Sequence, residues 1–399
     1  MTREYRCCAR CLMDTSDSGI LFLEDGTCNH CNDFLEQRAR FTPGSDLVAS
    51  LAAIVAEIKE HGRGKPYDCI VGVSGGVDST YVAYIAKQLG LRPLAVHLDN
   101  GWNSELAVHN IEHTLTVLGI DLHTVVLEWE TFRELQKSFL FASVTDAEIP
   151  TDHAIRAALW HVAAKFGIKY LLNGRNHSTE GILPWSWTYN ALDWKYIHGV
   201  HRCFSKHPLH EYPHTNLAEI LYRATVTRFK NFGILDYVPY DKKIAMQVLV
   251  DKLGWRDYGG KHYESIYTRF FQGHILPVKF GIDKRKAHLS VLVCTGQISR
   301  DNALEELQEP PLAPSMARED REFIQQKLEL AAGEFDQIMA RPPRTWHDFP
   351  NNSWIFLMHD NQVMLRLART ARAMGVLPRG FGDNLLARKA DRAVAREVD

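Results

Sequence analysis

No stretch of this 399-residue chain stays apolar over the ~18 residues that a membrane span needs. The first residues, MTREYRCCARC, have no apolar core of the kind found in a secretion signal. These two absences predict a cytoplasmic protein without membrane insertion. A surplus of positive charge is also missing, since 46 Lys and Arg stand against 48 Asp and Glu. Gripping nucleic acid requires a positive surface for the phosphates, so nucleic acid is not an expected partner. Internal repeats and low-complexity tracts are absent as well. What remains is an ordinary globular composition, long enough for two or three domains.

Cysteine is unevenly spread. Five of the eight lie in the first 31 residues, while Cys69, Cys203 and Cys294 are isolated. Cys8-Ala-Arg-Cys11 and Cys28-Asn-His-Cys31 are two C-x-x-C pairs separated by sixteen residues. Each pair can clasp two corners of a tetrahedron, and in a reducing compartment such a cluster points to zinc rather than disulfides. Cys7 is one place out of register and can only substitute for Cys8. A site closed by four thiolates is structural, so Cys8, Cys11, Cys28 and Cys31 are expected to be ligands without a chemical role.

Strands and helices alternate from residue 67 to about 180. CIVGV (69–73), PLAVHLD (93–99), LHTVVL (122–127) and KYLLNG (169–174) read as strands. Residues 46–60, 79–89, 104–118 and 151–166 read as helices, and FTPGSD (41–46) reads as a turn. This alternation predicts an α/β fold with a doubly wound parallel sheet. Before it stands the four-cysteine unit, 1–40; the α/β domain spans 41–300, with an irregular aromatic insertion at 181–260. From 301 to 399 the chain reads as mostly helical.

In the stretch DCIVGVSGGVDSTYVAY (68–84) a buried strand breaks on Ser-Gly-Gly and resumes as a helix. Ligands of α/β sheets bind beyond the carboxyl ends of the strands. Gly75 and Gly76 let the backbone approach an anion, and the helix start adds free N–H donors and partial positive charge. Ser74 and Ser79 add hydroxyl donors, and Asp78 is placed to hold a magnesium ion or the loop itself. The Walker loop G-x-x-x-x-G-K-[ST] is absent. HLDNGW (97–102), with Asp99, and NGRNHSTEG (173–181), with Gly174, Asn176 and Glu180, sit at two further strand ends. The S-G-G-x-D-S string resembles the PP-loop of the N-type ATP pyrophosphatases. That resemblance implies a PP-loop (HUP-like) fold that splits ATP into AMP and pyrophosphate, with Asp99 and Gly174 on the ATP side and Glu180 positioning magnesium or the nucleophile.

Residues 261–300 carry seven Lys and Arg against Glu264 and Asp283. Interleaved with YTRFF and ILPVKFG, these charges read as a basic wall facing an anion. Lys279, Lys284, Arg285 and Lys286 are its members, with ion pairing at a domain junction as the other reading. Lys279 and Arg285 are expected to stabilise charge developing on pyrophosphate. Together, the cysteine pairs, SGGVDS and KHYES…KFGIDKRKAHLS…GQISR resemble the N-acetyl sugar amidotransferases of bacterial surface-polysaccharide synthesis. The resemblance covers nearly the whole chain. It implies that ATP, with magnesium, adenylates an acetamido oxygen of a nucleotide-activated or acidic sugar and that ammonia displaces AMP. It also implies a separate glutaminase subunit and a cyclase-like ammonia-channelling subunit. Amidation of a sugar carboxylate to a carboxamide uses the same chemistry. A transfer-RNA thiolation enzyme also pairs a cysteine ribbon with a PP-loop, but this chain lacks a second cysteine pair in the catalytic region. A non-catalytic scaffold is the remaining alternative.

Overall fold

A computed structural model describes residues 4–39, 45–260 and 263–356 of the protein. Most of the expected turn at 41–46, Lys261, and the end of the expected helical region at 357–399 lie outside the described residues. In chain order the elements are α1 (Asn29–Arg38), α2 (Ser45–His61), β1 (Cys69–Gly72), α3 (Val77–Gln88), β2 (Pro93–Asp99) and α4 (Glu105–Leu118). Then come β3 (Leu122–Val126), α5 (Trp129–Ala142), α6 (Ile149–Lys165), β4 (Tyr170–Asn173), α7 (His177–Glu180), α8 (Trp194–Phe204) and α9 (Leu217–Tyr222). They are followed by β5 (Lys230–Gly233), α10 (Lys242–Leu253), α11 (Ile266–Phe270) and a π-helical stretch at Phe271–Phe280. The C-terminal helices are α12 (Arg285–Thr295), α13 (Arg300–Glu306), α14 (Pro314–Lys327) and α15 (Glu334–Ala340). Among the described residues no helix is long and apolar enough to cross a membrane.

The strands form one parallel sheet in the order β3-β2-β1-β4-β5. Side chains alternate across a strand. Cys69 and Val71 of β1 therefore pack on one face with Val82 of α3 and Ile111 of α4, while Ile70 packs on the other with Leu159 and Val162 of α6. A strand covered on both faces reads as a continuous apolar run, which makes β1 and β2 recognisable in the sequence. Several elements go beyond the sequence expectation, among them α5 and β5, whose Lys-Asn-Phe-Gly has no apolar pattern and lies at the sheet edge. The stretch 181–260, expected to be irregular, holds α8, α9, β5 and α10. The buried face of α8 is Tyr196, Ile197, Val200 and His201, half of it residues that hydropathy does not mark.

The N-terminal unit is clasped by the region of α12 and α13. The Leu12 amide donates to Ser290 Oγ at 3.0 Å, and Arg300 donates to the carbonyls of Cys8 and Cys11 at 3.1 and 3.3 Å. Lys286 Nζ lies 2.5 Å from Asp14, whose side chain is 1% exposed. Burial alone would raise the Asp14 carboxyl. Lys286, with the hydroxyl and amide of Ser16, reverses this and holds it below the ordinary carboxylate range.

Lys286→Met leaves a buried carboxylate unpaired and should destabilise the protein by roughly 3 kcal/mol at neutral pH, read from urea midpoints. A depressed carboxyl contributes its stability above the ordinary aspartate value of about 3.9 and loses it as the pH falls through the folded value. The gap between the two proteins should therefore narrow on acidification. A gap independent of pH would mean that Lys286 acts through packing.

Candidate active site

In the observed strand order the chain switches direction between β1 and β4, and the loops that follow these two strands open a crevice. The loop after β1 is the Ser-Gly-Gly turn. Gly75 adopts φ +84°, and a Cβ there would stand 2.8 Å from Tyr258 Oη and 2.9 Å from the Ala107 carbonyl, so both conformation and space demand glycine. The Gly75 carbonyl accepts two hydrogen bonds of 2.8 Å, from Trp255 Nε1 and Tyr258 Oη. Ser79 Oγ lies 3.2 Å from both the Ser74 amide and Ser74 Oγ, closing the turn. Gly76 caps α3 without a side-chain acceptor, which leaves first-turn N–H groups to an anion.

Gly174 follows β4 and packs on the same turn. A Cβ at Gly174 would lie 3.1 Å from Asp78 Cβ and 3.3 Å from the Ser79 amide. Asp78 accepts a hydrogen bond from Tyr240, and both Asp78 and the exposed Glu180 act on that phenol, pushing its pKa upward after burial has done most of the work. Gly174 and Asp78 thus pack together, and Asp78 and Glu180 both act on Tyr240. Asn176 caps α7 by accepting from the Thr179 amide at 2.9 Å. A further carboxylate, Glu264, lies near the loop, 3.6 Å from where a Cβ on Gly76 would stand. One or two carboxylates beside a phosphate site are what magnesium takes alongside ATP, so Asp78 and Glu264 fit that ion.

The turn after β2 is held by its own side chains. Asp99 Oδ1 accepts from the Gly101 amide at 2.9 Å. The Asn103 amide donates to His97 Nε2 at 3.0 Å, so the ring proton sits on Nδ1 and is donated to the Val73 carbonyl at 2.9 Å. The start of the C-terminal region pairs with this turn: the Ser104 amide donates to the Glu264 carbonyl at 2.9 Å and the Ile266 amide to the Trp102 carbonyl at 3.0 Å. Lys327 of α14 donates to the Gly101 carbonyl and lies 5.0 Å over the rings of Trp102 and Trp129. Sequence reasoning missed Tyr240, Trp255, Tyr258 and Lys327. The Trp-x-x-Tyr spacing just past a helix end was the one trace of the pair on Gly75.

The expected basic wall is corrected by the structure. Lys279 Nζ donates to the carbonyls of Ile338, Met339 and Arg341 at the end of α15. Arg285 binds Asp283 at 2.7 Å and the Glu306 carbonyl at 3.2 Å. Lys284 pairs with Glu148 at 3.3 Å, and Lys286 takes Asp14. Apart from the local Arg285–Asp283 pair, these cations are occupied by acceptors from other parts of the chain, so the junction reading of the segment describes them. Of the aromatic residues in the insertion, Trp187 and Tyr189 are buried in the core and Trp194 is stacked between His153, Tyr212 and His214; Trp185 is 45% exposed.

The four cysteines meet the test for zinc. Their sulfurs lie within 4.8 Å of one another, and all four residues are fully buried. Cys8–Cys31 and Cys11–Cys28 sulfur pairs are 3.8 and 3.5 Å apart. Four thiolates bound to zinc at about 2.3 Å are about 3.8 Å from each other. Backbone amides of Arg10, Cys11 and Cys28 point at Cys8 Sγ from 3.2 to 3.4 Å, as suits a charged sulfur. Cys7 stays outside, beside Arg300, and Cys294, isolated in sequence, reaches the cluster through Cys31.

Residues 264–360 match the family model described as LPS biosynthesis protein WbpG-like, C-terminal domain. Residues 68–162 match the model for queuosine biosynthesis protein QueC. A search of curated proteins returns no match. Similar solved structures include an NMN synthetase from Francisella tularensis (16% identity, 34% of this chain and 56% of that one, TM-score 0.27). Others are a glutamine-dependent NAD+ synthetase from Acinetobacter baumannii (18%, 52% and 44%, 0.28) and an NH3-dependent NAD synthetase from Campylobacter jejuni (14%, 76% and 99%, 0.30). The chain spans about half the length of the first two. The phosphate loop thus lies in a segment similar to an ATP-utilising PP-loop family, and the segment from Glu264 onward is similar to a lipopolysaccharide-biosynthesis domain.

Two outcomes are expected. Asp78→Ala should lower AMP formation from ATP by about 100-fold or more while leaving the circular dichroism melt in place; AMP production at the wild-type rate would end the assignment of the loop. Cys28→Ser should lose bound zinc, measured by elemental analysis, and melt at lower temperature. A zinc-free variant with undiminished stability would remove the structural role of the cluster.

Proposed function

We propose that this chain is an ATP-dependent, AMP-forming amidotransferase of surface-polysaccharide synthesis. It replaces the acetamido oxygen of a nucleotide-activated or acidic N-acetyl sugar with nitrogen from ammonia, giving an acetamidino sugar. One observation carries the reading: the segment similar to a lipopolysaccharide-biosynthesis domain begins at Glu264, and that residue lies against the phosphate loop. The two family signals meet at one site.

An amide is a weak electrophile, and its oxygen is a poor leaving group. Transfer of AMP to that oxygen makes it a phosphate leaving group, which ammonia then displaces. The first-turn amides of α3 and the Ser74 and Ser79 hydroxyls hold the pyrophosphate end of ATP. The turn at 99–103, fixed by Asp99, His97 and Lys327, lies at the adenosine side. Asp78 and Glu264 would hold magnesium, which when bound would neutralise charge on the phosphates. Trp185, an exposed aromatic of the insertion, is the candidate sugar platform. Ammonia comes from a separate glutaminase subunit through a cyclase-like channelling subunit.

The test is a mass-spectrometric assay with ATP, magnesium, an ammonium salt and a uridine-diphosphate-linked diacetamido uronic acid. AMP release with one oxygen exchanged for NH is the expected result. Fragmentation that places the exchange on the carboxylate would make the enzyme a carboxamide-forming one. AMP release with transfer RNA and a sulfur donor, and no sugar product, would overturn the reading.

A further inference from the structure

The loop after β4 holds a histidine against an aspartate. His177, the first residue of α7, has its ring Nδ1 3.0 Å from Asp236 Oδ2, and its backbone amide donates to Asp236 Oδ1 at 2.7 Å. The two segments also meet through their backbones, since a Cβ on Gly233 would stand 2.7 Å from the Arg175 carbonyl. The amide bond and this packing fix the junction, so the second carboxylate oxygen serves the ring. The side chains are 29% and 13% exposed, within reach of the crevice and outside the core. A carboxylate only accepts, so Nδ1 carries the proton and the neutral ring has its lone pair on Nε2. The carboxylate behind the ring also stabilises the imidazolium that forms when Nε2 takes a proton. Other histidines are built into the core instead. His153 lies between the Ala191 carbonyl and the Thr215 amide, and His201 between Ser138 Oγ and the His207 carbonyl. His30 faces Asp17 within the cysteine unit.

Both segments that carry the pair close on the phosphate loop. Upstream of His177, Gly174 packs on Asp78 and on the Ser79 amide. Downstream of Asp236, Tyr240 donates to Asp78. The short helix α7 is also fixed from two other directions. Asn176 caps it and returns its side-chain amide to the Gly174 carbonyl at 3.2 Å. Gln297 donates to the Ser178 carbonyl at 3.1 Å, and Gln297 belongs to the segment similar to a lipopolysaccharide-biosynthesis domain. The α/β domain and the C-terminal region therefore both determine where the His177 ring stands. A proton acceptor works only when it is held within hydrogen-bond reach of the reacting nitrogen, which is what such bracing provides.

We infer that His177 accepts the proton that ammonia loses as it attacks the adenylated amide, with Asp236 as the positioning residue behind it. This rests on the amidotransferase reading. The nitrogen lone pair of ammonia forms the new C–N bond to the activated carbon, and the adduct carries one proton too many. That proton passes to His177 Nε2. The C–O bond then breaks, its electron pair leaves on AMP, and the amidine remains. The imidazolium returns its proton to solvent. Nothing is oxidised or reduced, and the former amide oxygen departs in AMP.

The test separates adenylation from attack in the full-length protein. Adenylation is read as sugar-dependent exchange of labelled pyrophosphate into ATP, with the uridine-diphosphate-linked diacetamido uronate as the sugar. Attack is read as product formed with an ammonium salt or with hydroxylamine, a nucleophile whose adduct sheds its proton without a strong base. His177→Gln should cut product from ammonia about 100-fold or more, while pyrophosphate exchange changes less than about twofold. Hydroxylamine should restore most of the lost rate. Asp236→Asn should show the same pattern at about tenfold. Exchange at the wild-type rate also certifies that each variant is folded and binds both substrates. An equal loss of exchange and product would make His177 part of the ATP or sugar site and overturn the inference. Undiminished product from ammonia would overturn it as well, as would an equal loss with both nucleophiles. If the wild-type protein itself forms no amidine with either nucleophile, the amidotransferase reading fails and takes this role with it.

Discussion

The candidate site depends on the orientation of one peptide group, the carbonyl of Gly75. A left-handed residue at the end of a buried strand turns this carbonyl inward, where Trp255 and Tyr258 each donate to it. With the carbonyl held inside, the amides that follow face outward, toward an anion. The holding groups come from just beyond α10, about 180 residues away in sequence. α10 is itself packed on α3 through Leu249 and Leu253 against Val77 and Tyr84. A preorganised donor set of this kind needs no rearrangement when charge develops on a leaving group, which is how fixed dipoles contribute most to catalysis.

The second wall is built by the same logic. The turn after β2 has its own internal hydrogen bonds, but its position is set by the chain at 264–266, paired to it backbone to backbone, and by Lys327 resting on Trp102 and Trp129. The C-terminal region therefore forms part of the crevice and is not appended to the α/β domain. The buried core says the same, for Trp102 shares one apolar cluster with Phe270, Ile324 and Phe335, and also with the four cysteines. A zinc ion in that cluster would stiffen the base on which α12 and α13 rest.

Much of this was legible in the sequence, for identifiable reasons. A strand buried on both faces must be a continuous apolar run, so β1 and β2 announced themselves. Two cysteine pairs at clasp spacing constrain a tetrahedron locally. Ser-Gly-Gly-x-Asp-Ser carries its own conformational demand. The illegible parts are those in which meaning depends on a distant partner. The excess of five positive charges in 261–300 looked like a wall for an anion because sequence shows only neighbours. Lys286 finds Asp14 at a separation of 272 residues, and Lys284 finds Glu148 at 136. β5 has no periodicity of its own and exists because β4 offers it an edge. Tyr240, Trp255 and Lys327 are ordinary aromatic or basic residues until the fold sets them against Asp78, Gly75 and Gly101.

The same accounting explains how a chain with a formal charge of −2 can be built to hold anions. Net charge governs long-range attraction, which salt screens over about 8 to 10 Å. Binding inside a crevice is governed by the few charges left uncompensated there, in a medium where each counts for more than in water. The protein compensates its basic segment almost completely and uses those pairs to lock the N-terminal unit, α6 and the C-terminal helices together. It leaves the first-turn amides of α3 without a side-chain cap. The fixed contacts of Lys279, Lys284, Arg285 and Lys286 keep these cations from competing for an anion at that turn.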